Sequence, residues 1–150
     1  NNNMANSYLV ACAMAGMDVS IAAPEGYGPD SAVLDRAREI AAIQGGTISS
    51  SNDPVAAVAG AHVVVTDTWV SMGMEDQAQE RALVFQAFTV DSALMSGAEK
   101  DAIFLHCLPA YRGFEVSADV IDGSQSRVWQ EAENRLHAQK ALMVWLAEQN

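Results

Sequence analysis

Positive charge is scarce in this chain of 150 residues: 8 Lys and Arg stand against 19 Asp and Glu, for a net charge of −11. A surface of that sign repels nucleic-acid phosphates and anionic lipid, so neither nucleic acid nor membrane is expected as a partner. Long apolar runs are missing as well; the longest, Tyr8 to Met17, falls well short of the ~20 residues that a membrane-spanning helix requires. Cysteine is limited to Cys12 and Cys107, in no Cys-x-x-Cys or Cys/His spacing, which argues against a disulfide framework and against structural zinc. A soluble protein of the reducing cytoplasm, with no metal and no cofactor, is the expectation. No Gly-x-Gly-x-x-Gly turn follows a strand-like segment, which disfavours a nicotinamide-binding domain. The opening Asn1-Asn2-Asn3-Met4 matches neither a targeting segment nor a native start, so a fragment or processed chain is expected.

Half of the residues are hydrophobic, and at this length they suffice for one domain, residues 1–150, with a full core. Apolar periodicity predicts helices over Met4–Ala15, over a segment from Asp30 or Ser31 through Ala41, over Gln77–Ala87 and over Glu131–Glu148. Asp53-Pro54 opens a short helix in the cap-then-proline order. Continuous or β-branched runs predict strands at Val19–Ala23, Thr47–Ser51, His62–Thr66 and Ala102–Leu105. The last helix places Leu136, Met143 and Leu146 on one side with Leu142 and Trp145 adjoining, which reads as a broad buried face. Strands alternating with helices give an α/β, doubly wound, mostly parallel sheet with helices on both faces, Rossmann-like. Only asparagines precede the first helix, so the usual first strand is expected to be lacking, leaving a hole in the sheet or an altered pairing with exposed edges.

Open parallel sheets bind ligands beyond the carboxyl ends of their strands, which singles out two segments here. They are Asp67-Thr68-Trp69-Val70-Ser71-Met72-Gly73 and His106-Cys107-Leu108-Pro109. Together with Glu131-Ala132-Glu133-Asn134-Arg135, they resemble in order and spacing the signatures of the ornithine carbamoyltransferase family. Asn2-Asn3-Met4-Ala5-Asn6-Ser7 resembles the start of that family's second domain, and Pro24-Glu25-Gly26-Tyr27 with Pro29-Asp30 resembles one of its loops. The resemblance extends over essentially the whole chain.

It implies the carboxyl-terminal, ornithine-binding domain of an enzyme of arginine biosynthesis, which moves a carbamoyl group from carbamoyl phosphate to the side-chain amine of L-ornithine, giving citrulline and phosphate. The family's amino-terminal domain grips carbamoyl phosphate with a Ser-x-Arg-Thr loop, which this sequence does not contain. The implied partners are that amino-terminal domain and a homo-oligomer, typically a trimer. By the same resemblance, Asn3, Asp67, Ser71 and Met72 bind ornithine, and Cys107, Leu108 and Arg135 bind carbamoyl phosphate.

The chemistry of these residue types agrees. An alkylammonium has a reference pKa of ~10.4 and must lose a proton to attack a carbonyl; Asp67 at a strand end can hold it. Cys107, as a thiolate, would be a candidate base or positioning group rather than a covalent nucleophile. Leu108 would act through its backbone carbonyl, an acceptor for the carbamoyl NH₂. Arg135 offers a planar donor fork for phosphate oxygens, with Arg112 a weaker candidate. His106 reads as functional or supporting, His62 and His137 as structural or surface groups, and Cys12 as structural. Trp69 and Met74 would either line a closing loop that Gly73 lets move or pack in the core. Two other readings remain open: an inactive ligand-binding or assembly fragment, and a carbamoyltransferase for another amine such as putrescine.

Overall fold

The computed structural model describes residues 2–70, 76 and 78–149. Ser71, Met72, Gly73 and Met74 lie outside the described residues. The chain opens on α1 (Asn3–Met14), followed by β1 (Val19–Ala22), α2 (Ser31–Gln44), β2 (Ile48–Ser51), α3 (Pro54–Val58) and β3 (Val63–Val65). Then come α4 (Ala78–Phe85), α5 (Ser92–Met95), β4 (Ile103–Leu105), α6 (Ala118–Ile121) and α7 (Val128–Glu148). This is the α/β order of the doubly wound class. The short helices α5 and α6 carry too few residues to show a period, and the sequence did not predict them.

Local chemistry explains the main boundaries. Asn2 caps α1 by accepting from the Ala5 N–H at 2.8 Å, and Asp30 caps α2 by accepting from the Ala32 N–H at 2.8 Å. Gly45 ends α2 in the left-handed region at φ 97°, which glycine adopts without a Cβ penalty. A Cβ at Gly46 would stand 2.3 Å from the Met17 carbonyl oxygen, so the turns leaving α1 and α2 approach as closely as glycine permits.

All described pairings are parallel, but they form two separate ribbons. β1 pairs with β2, and β3 pairs with β4 in the register Val63–Ile103, Val64–Phe104, Val65–Leu105. No described strand precedes α1 or joins β1 to β3. The two ribbons are not joined by a described strand, and Val63 and Val65 are exposed on either side of buried Val64. The single core suggested by length is split in the same way. Leu9, Ala13, Ala37 and Ala41 pack α1 on α2 above β1 and β2, while Val64, Phe104, Val116, Ile121 and Val128 centre the second cluster on β3 and β4.

α7 corrects the sequence reading in two respects. It starts three residues before the predicted Glu131, at Val128, its one buried residue among those described. The apolar face expected to be buried is open: Leu136, Leu142, Met143, Trp145 and Leu146 are each at least half exposed. Periodicity identifies an apolar side but not a covering partner. Trp145→Gln is accordingly expected to change the unfolding free energy of this chain by no more than about 0.5 kcal/mol in urea titration, as for other surface substitutions.

Candidate functional site

The β3–β4 register brings two strand exits to the same end of one ribbon. The ladder continues to the Thr66 N–H, which donates to the Leu105 carbonyl at 3.4 Å, so Asp67 and Cys107 emerge side by side. The Cys107 thiol donates to Asp67 Oδ1 at 3.2 Å. The same oxygen accepts the Thr68 N–H at 2.8 Å, and Asp67 Oδ2 accepts from Asn2 Nδ2 at 3.1 Å. An ionised carboxylate offers about four acceptor positions, so three donors leave about one for an incoming ammonium.

Asn2, rather than Asn3, makes the contact with Asp67. Asn3 begins α1 and is exposed, with no hydrogen bond to the site among the described residues, whereas Asn2 spans two tasks, its oxygen capping the helix and its NH₂ fixing Asp67. The sequence drew attention to the pair but could not tell which amide turns inward.

Cys107 is not placed as a thiolate. Burial, the hydrogen bond to Asp67 and the charges of Asp67 and Glu131 push its thiol up from the usual 9.0 to about 12. At neutral pH the group is a neutral donor. The hydrogen bond to Asp67 fits a positioning role for Cys107. Cys12 sits half-buried in α1, and burial raises its thiol too.

Leu108 takes φ 56°, a left-handed conformation that a bulky side chain rarely adopts, that costs of order 1–3 kcal/mol and that persists only where its surroundings enforce it. They do. The Leu108 N–H donates to His106 Nδ1 at 2.9 Å, which fixes the neutral imidazole with its proton on Nε2. Nε2 then donates to Glu115 Oε1 at 3.3 Å, and that oxygen also accepts the Tyr111 N–H at 2.6 Å. His106 and Glu115 are both fully enclosed. The Leu108 carbonyl accepts no hydrogen bond among the described residues, which leaves it available to a ligand NH₂.

Glu131 lies in the first turn of α7, where its Oε2 accepts the His106 N–H at 2.9 Å and its Oε1 accepts the Tyr8 hydroxyl at 3.1 Å. Residues 125–127 deliver it there by running parallel to β4: the Phe104 N–H donates to the Gln125 carbonyl, and the Arg127 N–H to the Phe104 carbonyl. Arg135, one turn further along α7, is exposed and without a hydrogen-bond or ion-pair partner among the described residues.

Other candidates fall away from the site. Arg112 makes a two-point contact with Asp122 at 2.9 and 2.7 Å, so its fork is already occupied. His62 is exposed, and exposed His137 lies 3.6 Å from Glu133 one turn earlier. Trp69 is buried against Phe85 and Phe114, a packing role. Ser71 and Met72 are among the residues not described. Donor atoms of Asp67, His106 and Cys107 lie within 4.8 Å of one another, yet both imidazole nitrogens are engaged and the thiol holds its proton; a metal would have to displace those bonds.

Tyr8, Glu115 and Glu131 were missed as contributors. Tyr8 stands within an apolar helical run, Glu115 in a loop without period, and Glu131 only as the lead-in to Arg135.

The sequence agrees with a family model described as aspartate/ornithine carbamoyltransferase, Asp/Orn binding domain, over residues 1–146. It is 56% identical over 149 residues to an ornithine carbamoyltransferase of Renibacterium salmoninarum and 60% identical over 148 residues to that of Clavibacter michiganensis, in each case 99% of this chain and 48% of the relative. The fold matches the crystal structure of the anabolic ornithine carbamoyltransferase of Campylobacter jejuni with a TM-score of 0.92 at 43% identity, over 99% of this chain and 49% of that one. The chain thus spans about half the length of these relatives. With a match that starts at residue 1 and runs almost to the end of α7, this chain belongs to the aspartate/ornithine carbamoyltransferase family and corresponds to its Asp/Orn-binding domain.

Proposed function

We propose that this chain is the ornithine-binding domain of an ornithine carbamoyltransferase, with the carbamoyl phosphate grip supplied by an amino-terminal domain and with sites completed in a homo-oligomer, a trimer. The observation that carries this reading is the Asp67–Cys107 contact of 3.2 Å, with Asn2 on the other carboxylate oxygen, at the carboxyl end of a parallel ribbon.

In this reading Asp67 holds the side-chain ammonium of L-ornithine, and Asn3, Ser71 and Met72 hold its amino-acid head. Once the ammonium has released one proton to solvent, the amine nitrogen attacks the carbonyl carbon of carbamoyl phosphate, and the second proton it loses leaves on the phosphate. A C–N bond forms, the C–O bond to phosphate breaks, and citrulline and phosphate are released. The Leu108 carbonyl accepts from the carbamoyl NH₂, the Cys107 thiol keeps Asp67 oriented beside it, and Arg135 binds phosphate oxygens. Carbamoyl phosphate is already activated, so the step is written without cofactor or metal. The place of such an enzyme is arginine biosynthesis in the cytoplasm.

The test is citrulline formation by the purified chain with and without an added amino-terminal half from a relative. Ornithine-dependent citrulline is expected only with that half present. Product from this chain alone at the rate of a whole enzyme would overturn the division of labour. Absence of product in both arms, with no ornithine binding by calorimetry, would favour the inactive-fragment reading, and product from putrescine in preference to ornithine would change the substrate.

A further inference from the structure

We propose that Tyr8 and Glu131 are positioning residues of this site: their hydrogen bond closes a ring of contacts that holds the Cys107 strand exit against Asp67. The proposal rests on the carbamoyltransferase reading for its catalytic meaning but not for its structural content. The ring can be followed atom by atom. Starting from α1, Asn2 Nδ2 donates to Asp67 Oδ2 at 3.1 Å, and Asp67 Oδ1 accepts from the Cys107 thiol at 3.2 Å. The neighbouring His106 N–H donates to Glu131 Oε2 at 2.9 Å, and Glu131 Oε1 accepts the Tyr8 hydroxyl at 3.1 Å, which returns the path to α1.

Four elements from distant parts of the sequence meet in this circuit: α1, the exit of β3, the exit of β4 and the first turn of α7. Among the described residues β1 and β3 are not paired with each other. The ring ties α1 to that ribbon through polar contacts at two points along its length. Tyr8 is half-buried, and its hydroxyl proton is held by burial and by the Glu131 carboxylate, which raise its pKa strongly. Both Glu131 oxygens are engaged, one by the backbone amide and one by the phenol, so each bond opposes rotation of the carboxylate away from the other.

Cys107 reports on the ring without any substrate. The ionisable groups around its thiol are Asp67 from the β3 exit, Glu131 from α7 and Tyr8 from α1, with His106 next to it in sequence. Cys12 lies one turn from Tyr8 on the same helix and serves as an internal control. The experiment measures iodoacetamide alkylation of each cysteine in the native protein at pH 8, resolved by mass spectrometry. Tyr8→Phe is expected to speed alkylation of Cys107 about threefold to tenfold and leave Cys12 unchanged. Glu131→Ala should do at least as much. Glu131→Gln loses the same charge as Glu131→Ala but should remain below it, because its amide oxygen accepts from the His106 N–H while its NH₂ donates to the phenol oxygen.

Equal acceleration at Cys12 and Cys107 would mean that α1 has loosened as a whole and would overturn the proposal. So would an unchanged Cys107 rate, or a glutamine variant as fast as the alanine one. Since alkylation needs neither ornithine nor carbamoyl phosphate, failure of the citrulline assay and failure of the ring are read separately.

Discussion

Asp67→Asn, assayed for the proposed reaction in this chain together with an added amino-terminal half from a relative, is expected to lower kcat/KM for ornithine by about two to three orders of magnitude, while the affinity for carbamoyl phosphate stays near its original value. Two losses combine. The substrate ammonium loses its counter-charge, and the site loses its internal order. In the native arrangement Oδ1 accepts both the Thr68 N–H and the Cys107 thiol, while Oδ2 accepts from Asn2 Nδ2. An asparagine that keeps its oxygen for the first pair must turn its NH₂ toward the NH₂ of Asn2, donor against donor. Asn2 cannot relieve the clash by flipping, because its oxygen caps α1 through the Ala5 N–H. Breaking that cap would cost about 1 kcal/mol. Steady-state kinetics with ornithine varied, together with calorimetry of ornithine binding, measure the effect. A decrease of less than threefold would remove Asp67 from the role of ammonium anchor.

How much of this was legible in the sequence depended on whether a feature is local. The β-branched run before Asp67 and the buried run before His106 announce strands, and the register of β3 on β4 then places their exits together. Asn2 as a cap and Gly45 as a stop are equally local. The protonation of Cys107 is not: it follows from burial and from carboxylates on β3 and α7, elements that meet only in the folded chain. Glu115 was invisible for the same reason, since nothing about an acid between Phe114 and Val116 indicates that an imidazole and a backbone amide converge on it. The apolar side of α7 was legible as a pattern, yet pattern alone could not say that Trp145 and Leu142 would stand open.

Glu115→Leu is the second substitution with a large expected effect, this time on stability. Glu115 is enclosed, and its Oε1 accepts from His106 Nε2 at 3.3 Å and from the Tyr111 N–H at 2.6 Å. Leucine offers no acceptor, so both donors are left unpaired, His106 in a position without solvent. Each unsatisfied donor costs ~1–3 kcal/mol, so the two together give an expected loss of about 2–6 kcal/mol in unfolding free energy. The consequence extends to the site. Without Glu115 to receive the Nε2 proton, the imidazole no longer has to present Nδ1 to the Leu108 N–H, and the φ of 56° at Leu108 loses the contact that enforces it. Glu115→Gln, which keeps one carbonyl oxygen for both donors, should recover most of the loss. Urea unfolding of the two variants beside the parent measures this; a leucine variant within about 1 kcal/mol of the parent would show that His106 and Tyr111 find other acceptors and that Leu108 is held by packing alone.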